Sequence, residues 1–138
     1  MKRRLAPAVL LLALVLGGCV YYPTIPDIGG IRIRPQNGRA VRQPTGLALY
    51  LDLDSTGKYG DAVIGVLADV AKSAVLVDQA GQTVPRLEVP GTTLVRLFPQ
   101  GPHIVLTELA RPVQPGEVVL VTLVFEKIGN VGAITRVE

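Results

Sequence analysis

From Ile31 to Glu138 the chain alternates apolar and polar residues in short runs, and no window sustains an i, i+3, i+4 apolar stripe between helix caps. Ile31-Arg-Ile-Arg34 alternates cleanly. Gly46 to Leu53 is a longer strand running into a turn at Asp54-Ser-Thr-Gly57. Ala62 to Leu67 predicts another strand, and Ala68 to Ser73 a short helical turn. Ala74 to Asp78, Val84 to Val89, Thr92 to Phe98 and His103 to Leu109 follow, each set off by Gly, Pro or Asp. Pro112 to Gly116 then breaks the chain before Glu117 to Glu126, the longest strand, and Val131 to Val137 ends it. Eight or nine strands at this spacing imply an all-β, antiparallel Greek-key β-sandwich, with a barrel as the alternative closure.

The first thirty residues follow another pattern. MKRR is a positive n-region and Leu5 to Leu16 an apolar stretch too short to span a bilayer comfortably, so residues 1–18 read as an export signal. Leu16-Gly17-Gly18-Cys19 resembles the lipobox of bacterial lipoproteins, in which cleavage leaves the cysteine first and acylated. Cys19 is thus the expected lipidation site. Residues 19–30 form a tether rich in Pro and Gly, carrying Tyr21 and Tyr22, and residues 31–138 a single domain. Each buried methylene contributes about 0.8 kcal/mol, so several acyl chains hold the protein to membrane lipid. The expected location is extracytoplasmic, anchored to a bacterial membrane, on its periplasmic side in a double-membrane host.

Composition narrows the chemistry. Hydrophobic residues are 49% of the chain and aromatics only 4%, so the core is branched aliphatic. The formal charge of +3 comes from the leader: without Lys2, Arg3 and Arg4 the 14 basic residues become 11, against 11 acidic ones. With no basic cluster and few rings to stack bases, nucleic acid is rejected. Cys19 is the only cysteine, which excludes a disulfide and a thiolate metal site within the domain. Asp52-x-Asp54-x-Thr56-Gly57 imitates half of a calcium loop, but Val63 stands where the bidentate Glu is needed. Ser55 and Ser73 lack a nucleophile-elbow context, and one histidine, His103, would have to serve either, so the protein is read as no enzyme. His103, after the Pro99-Gln-Gly-Pro102 turn, has two readings: an edge-strand histidine held by turn packing, or a metal ligand.

The order of motifs resembles the periplasmic copper chaperones called PCu(A)C. Leu47-Ala-Leu-Tyr-Leu-Asp-Leu-Asp-Ser-Thr-Gly57 is similar to their early strand and turn, and Asp61-Ala-Val-Ile-Gly65 to their Asp-Arg-Leu-Val-Gly. Val89-Pro-Gly-Thr-Thr93 compares with Ile-Pro-Gly-Gly-Thr, and Leu97-Phe-Pro-Gln-Gly-Pro-His103 with Leu-Lys-Pro-Gly-Gly-Tyr-His. Val121-Thr-Leu-Val-Phe-Glu-Lys-Ile-Gly129 compares with their closing Leu-Thr-Leu-Thr-Phe-Glu-Lys-Ala-Gly. The likeness runs from Ile31 to the C-terminus and implies a cupredoxin-like, Ig-like sandwich.

It also implies Cu(I) bound by two His and two Met side chains, one pair being His-x-Met. His103 falls on that His, but Val105 stands at the Met position and Val77 at the upstream His. The segment carrying the other Met is shortened around Gln79 to Arg86, and Met1, the only methionine, leaves with the signal. One ligand of four remains. A single imidazole cannot hold Cu(I) at chaperone affinity; Cu(II) could add harder ligands such as Asp78 or Glu108. The sequence therefore predicts a lipoprotein that handles copper through an incomplete site, with a copper-acceptor or other envelope protein as partner. The alternative is a structural or interaction lipoprotein that binds no metal.

Overall fold

The computed structural model describes residues 27–138, which form ten strands: β1 (Ile33–Gln43), β2 (Gly46–Ser55), β3 (Asp61–Ala68), β4 (Ala71–Val77), β5 (Thr83–Val84), β6 (Leu87–Val89), β7 (Thr93–Leu97), β8 (His103–Leu109), β9 (Val118–Phe125) and β10 (Gly129–Val137). They make one sheet in the order β5-β4-β8-β2-β1-β10-β9-β3-β6, with β7 also on β2. The turn at Asp69 and Val70 joins β3 to β4 from near opposite ends of that order, so the sheet rolls nearly into a barrel around its core. The expected all-β fold is the observed one. Its pairings are antiparallel except β1 with β10, which run parallel over Gly38–Ala40 and Thr135–Val137.

Alternation places the core. Leu47, Leu49, Leu51 and Leu53 of β2, Ile104 and Leu106 of β8, and Val119, Val121, Leu123 and Phe125 of β9 are buried in one cluster. At about 25 cal/mol per Å² of apolar area this aliphatic filling is the main favourable term of the fold.

Four local features depart from the pattern. The strand expected over Val84 to Val89 splits at Pro85 and Arg86 into β5, which pairs with β4, and β6, which pairs with β3, because Pro85 has no N–H to continue the ladder. Ala68 to Ser73 is no helical turn: β3 and β4 leave only Asp69 and Val70 between them, and Ala71 already pairs with Leu109. The residues are too few for a helix once both strands are satisfied. β1 continues through Pro35 and Gly38 to Gln43, absorbing a shift of register between Gln36 and Arg39. Asn37 takes φ 56° there, a left-handed conformation that asparagine tolerates better than most residues. Finally, Asp27–Gly30, at the tether's end, is already folded: Ile28 and Ile31 exchange backbone hydrogen bonds of 3.1 and 3.0 Å around Gly29 and Gly30. Their φ values of 60° and 83° are those of a two-residue hairpin turn, which glycine adopts without steric cost. The expected signal, Cys19, Tyr21 and Tyr22 lie outside the described residues.

Candidate functional site

β7 and β8 lie end to end along the same edge of β2. Leu97 pairs with Leu51 and Ile104 with Leu49, so seven steps of one chain face two of the other, and five residues are extruded. The extrusion is the Phe98–Pro102 loop. Gly101 N–H donates to the Phe98 carbonyl at 3.0 Å, and Phe98 N–H to the Pro102 carbonyl at 3.1 Å. Gly101 lies against the Phe98 ring, where a Cβ would collide with the ring edge. His103 is the first residue after this loop, at the start of β8.

The loop also fixes the imidazole. His103 Nδ1 stands 3.0 Å from the Gly101 carbonyl, which can only accept, so in the neutral ring Nδ1 carries the proton and Nε2 the lone pair. The ring tilts against Tyr50 at 5.6 Å between centroids and 56° between planes. Arg39 in turn places its guanidinium 5.1 Å from the Tyr50 centroid. A carbonyl on one ring nitrogen and a lone pair on the other is the arrangement that orients a ligating histidine.

Its surroundings supply no second donor of that kind. Val77 pairs directly with His103 across β4 and β8, and Val75 with Val105. Residues 103 and 105 share the outer face of β8, because Ile104 and Leu106 point to the core. The groove there, ≈ 340 Å³, is lined by Pro44, Ala48, Tyr50, Pro99, His103 and Val105, among others. The fold thus brings together His103, Val77 and Val105, and two of the three are aliphatic.

The harder ligands are elsewhere. Asp78 Oδ1 accepts from the Ala80 and Gln82 amides, both at 2.9 Å, and so closes its own turn. Glu108 is five residues along β8 from His103, roughly 17 Å at 3.4 Å per residue. Among the described residues no group of three or more His, Cys, Asp or Glu could hold a metal ion. Asp52 and Asp54 sit on strand β2, and Asp52 accepts from Asn37 Nδ2 at 3.0 Å, so the calcium-loop reading falls. Ser55 is buried at the end of β2, with an Oγ that has no hydrogen-bond partner among the described residues.

Sequence reading passed over one polar residue that the structure makes prominent. Asp61 is buried, and its carboxylate accepts from Ala62 N–H at 2.8 Å, Lys127 N–H at 3.0 Å and Ile128 N–H at 2.9 Å. It ties the β9–β10 turn to the start of β3. The hollow beside it, ≈ 380 Å³, also carries Arg86, Glu88 and Glu126, but these charges are engaged with one another at 2.7 and 2.9 Å. Those two carboxylates raise the Arg86 pKa above its usual value, Glu88 first.

Residues 28–137 match the family described as "Putative lipoprotein LpqE-like". The chain belongs to the LpqE-like family. Comparison with curated proteins returns no match. Among solved structures, the copper-bound PCuAC domain from PmoF2 superposes with a TM-score of 0.71 at 22% identity, covering 86% of this chain and 98% of that one. The solution structure of Cu(I)-DR1885 from Deinococcus radiodurans gives 0.69 at 22% identity, covering 83% of each. The apo PCuAC domain from PmoF1 gives 0.68, also at 22%. These likenesses establish that this LpqE-like chain has the PCuAC fold, in agreement with the resemblance read from its motifs.

Proposed function

We propose that this LpqE-like protein is an extracytoplasmic lipoprotein, anchored through acylated Cys19, that handles copper as one contributor to a shared site. His103, on the outer face of β8, supplies a single imidazole through Nε2, and a copper-acceptor or other envelope protein supplies the remaining ligands. The observation that carries this reading is the proton arrangement at His103: Nδ1 spent on the Gly101 carbonyl and Nε2 left with its lone pair, on a PCuAC fold. Copper here is cargo, and the residues around His103 do not fit a complete Cu(I) site, because Val77 and Val105 occupy the positions where the resemblance expects His and Met.

The second reading, an interaction lipoprotein without metal, draws on the same two valines, neither of which offers a donor, and on the groove beside the histidine, where Pro44, Ala48, Pro99 and Val105 stand with Gln43, Thr45 and Tyr50. Cu(I) titration against a competing chelator, followed by the His103 ring resonances, separates the two. The copper reading expects weak binding that shifts those resonances and vanishes in His103→Ala. Ring signals indifferent to saturating Cu(I) would overturn it in favour of the second.

A further inference from the structure

We infer that the outer face of β3, β9 and β10 is a membrane-contact face, seated on the bilayer that holds the anchor. The inference rests on the lipid anchoring proposed above for its orientation, and on the described fold for the face itself. Leu120 and Ile134 pair across β9 and β10, both more than half exposed, at 55% and 68%. The Leu120 side chain lies over Gly132, whose missing Cβ would stand 3.8 Å from Leu120 Cδ1, which fixes it on the outer side. Leu67 pairs with Thr122 one step further on, and Val118 with Arg136; Leu67 and Val118 are likewise more than half exposed. A folded sheet face bearing four such aliphatic side chains is a patch that calls for an occupant.

The occupant follows from where the described chain begins. Gly30 and Arg32 turn their carbonyls to Tyr59 and Thr56, beyond the end of β2, so Ile31, which exchanges bonds with Ile28, turns the other way, toward β10. Asp27 then pairs with Arg32 at 3.2 Å, on the hairpin arm that runs antiparallel to Ile31. Ile28, half exposed, shares an apolar cleft of ≈ 410 Å³ with Ile128, Val131 and Gly132 at the start of β10. From Asp27 back to Cys19 is 27 − 19 = 8 residues, a reach of at most roughly 28 Å. That reach starts at Asp27, beside Ile28 and the start of β10, and an anchor at Cys19 stands within roughly 28 Å of that point. Arg136, in register with Val118, borders the patch and suits the phosphates of an anionic headgroup layer.

The test uses the chain from residue 20, which keeps every described residue and carries no acyl groups. It is pelleted with vesicles of phosphatidylglycerol and phosphatidylethanolamine. Partition is expected to fall about tenfold or more in Leu120→Asp/Ile134→Asp and to be unchanged in Leu94→Asp, an exposed position on β7; thermal melts check that each variant folds. No pelleting of the parent at millimolar lipid, or equal partition of parent and double variant, overturns the proposal. A concentration-dependent dimer abolished by the same double substitution assigns the face to a second copy and also overturns it. Lipidation is read separately, from the mass of Cys19 in the full chain expressed in a bacterium. An unmodified thiol there refutes the anchoring while leaving the vesicle result to stand on its own.

Discussion

At the scale of single residues, the site turns on what two valines replace. His103 is oriented as a ligating histidine, with Nδ1 held by the Gly101 carbonyl. Val77 lies across the strand pair from it and Val105 two residues further on. If the scaffold is intact and only donors are missing, donors can be returned. Val77→His/Val105→Met is expected to tighten Cu(I) binding about tenfold or more, about 1.4 kcal/mol or more, measured by chelator competition. Val77 is buried, so the larger imidazole will cost some thermal stability. Adding His103→Ala to the pair should return binding to the level of the isolated valines. An unchanged affinity in the double variant would mean that the three positions do not converge on one ion.

At the scale of elements, the β9–β10 turn is fixed by a buried carboxylate, whereas the Phe98–Pro102 loop is held by its own backbone hydrogen bonds and the Phe98 ring. Asp61 gathers the amides of Ala62, Lys127 and Ile128, and so joins the β9–β10 turn to β3. Truncation would leave buried N–H groups unpaired, each a desolvation cost. Asp61→Ala should therefore destabilise the fold by roughly 3 kcal/mol, and Asp61→Asn by less because one acceptor oxygen survives. Urea denaturation of the two variants checks the order; equal costs would argue against the amide cage. The strands themselves were legible from alternation, because each buries one face: β2, β3, β8 and β9 stand within a residue or two of their expected ends. What was not legible depends on partners distant in sequence. Sequence alone reads Ala74 to Asp78 as strand but Ala71 to Ser73 as part of a helical turn, which becomes strand only when β8 pairs with it, and the extension of β1 past Gly38 needs both Asn37 at positive φ and the parallel partner β10. Asp61 looked like any strand-initial aspartate, since the amides that it collects come from 66 and 67 residues away.

At the scale of the molecule, the charges of residues 27–138 balance, 14 − 3 = 11 basic against 11 acidic, and lie mostly outside, so the fold's response to pH is set by the few groups whose ionisation is coupled to structure. The ion pair between Arg39 and Glu138 is about half exposed and screened, and contributes little at any pH. Glu117 differs in kind. It stands in the turn that precedes β9, where its carboxylate accepts from Gln114 N–H at 3.0 Å and pairs with Arg111. The same turn holds the C-terminal strand, through Gly116 N–H to the Val137 carbonyl and Val137 N–H to the Glu117 carbonyl. The Gln114 amide first, and Arg111 after it, lower the Glu117 pKa below its ordinary 4.5. A carboxyl whose pKa is lower folded than unfolded lends stability above the unfolded value and loses it as pH falls through the folded one. Thermal melts across the acid range should therefore show Tm declining below about pH 4.5, and Glu117→Gln should flatten that decline. The two curves should meet in strong acid, where both side chains are neutral, with the variant the less stable at neutral pH. Parallel curves separated by a constant offset would mean that Glu117 acts through packing alone. The seam between β10 and the turn would then owe its acid sensitivity to another group.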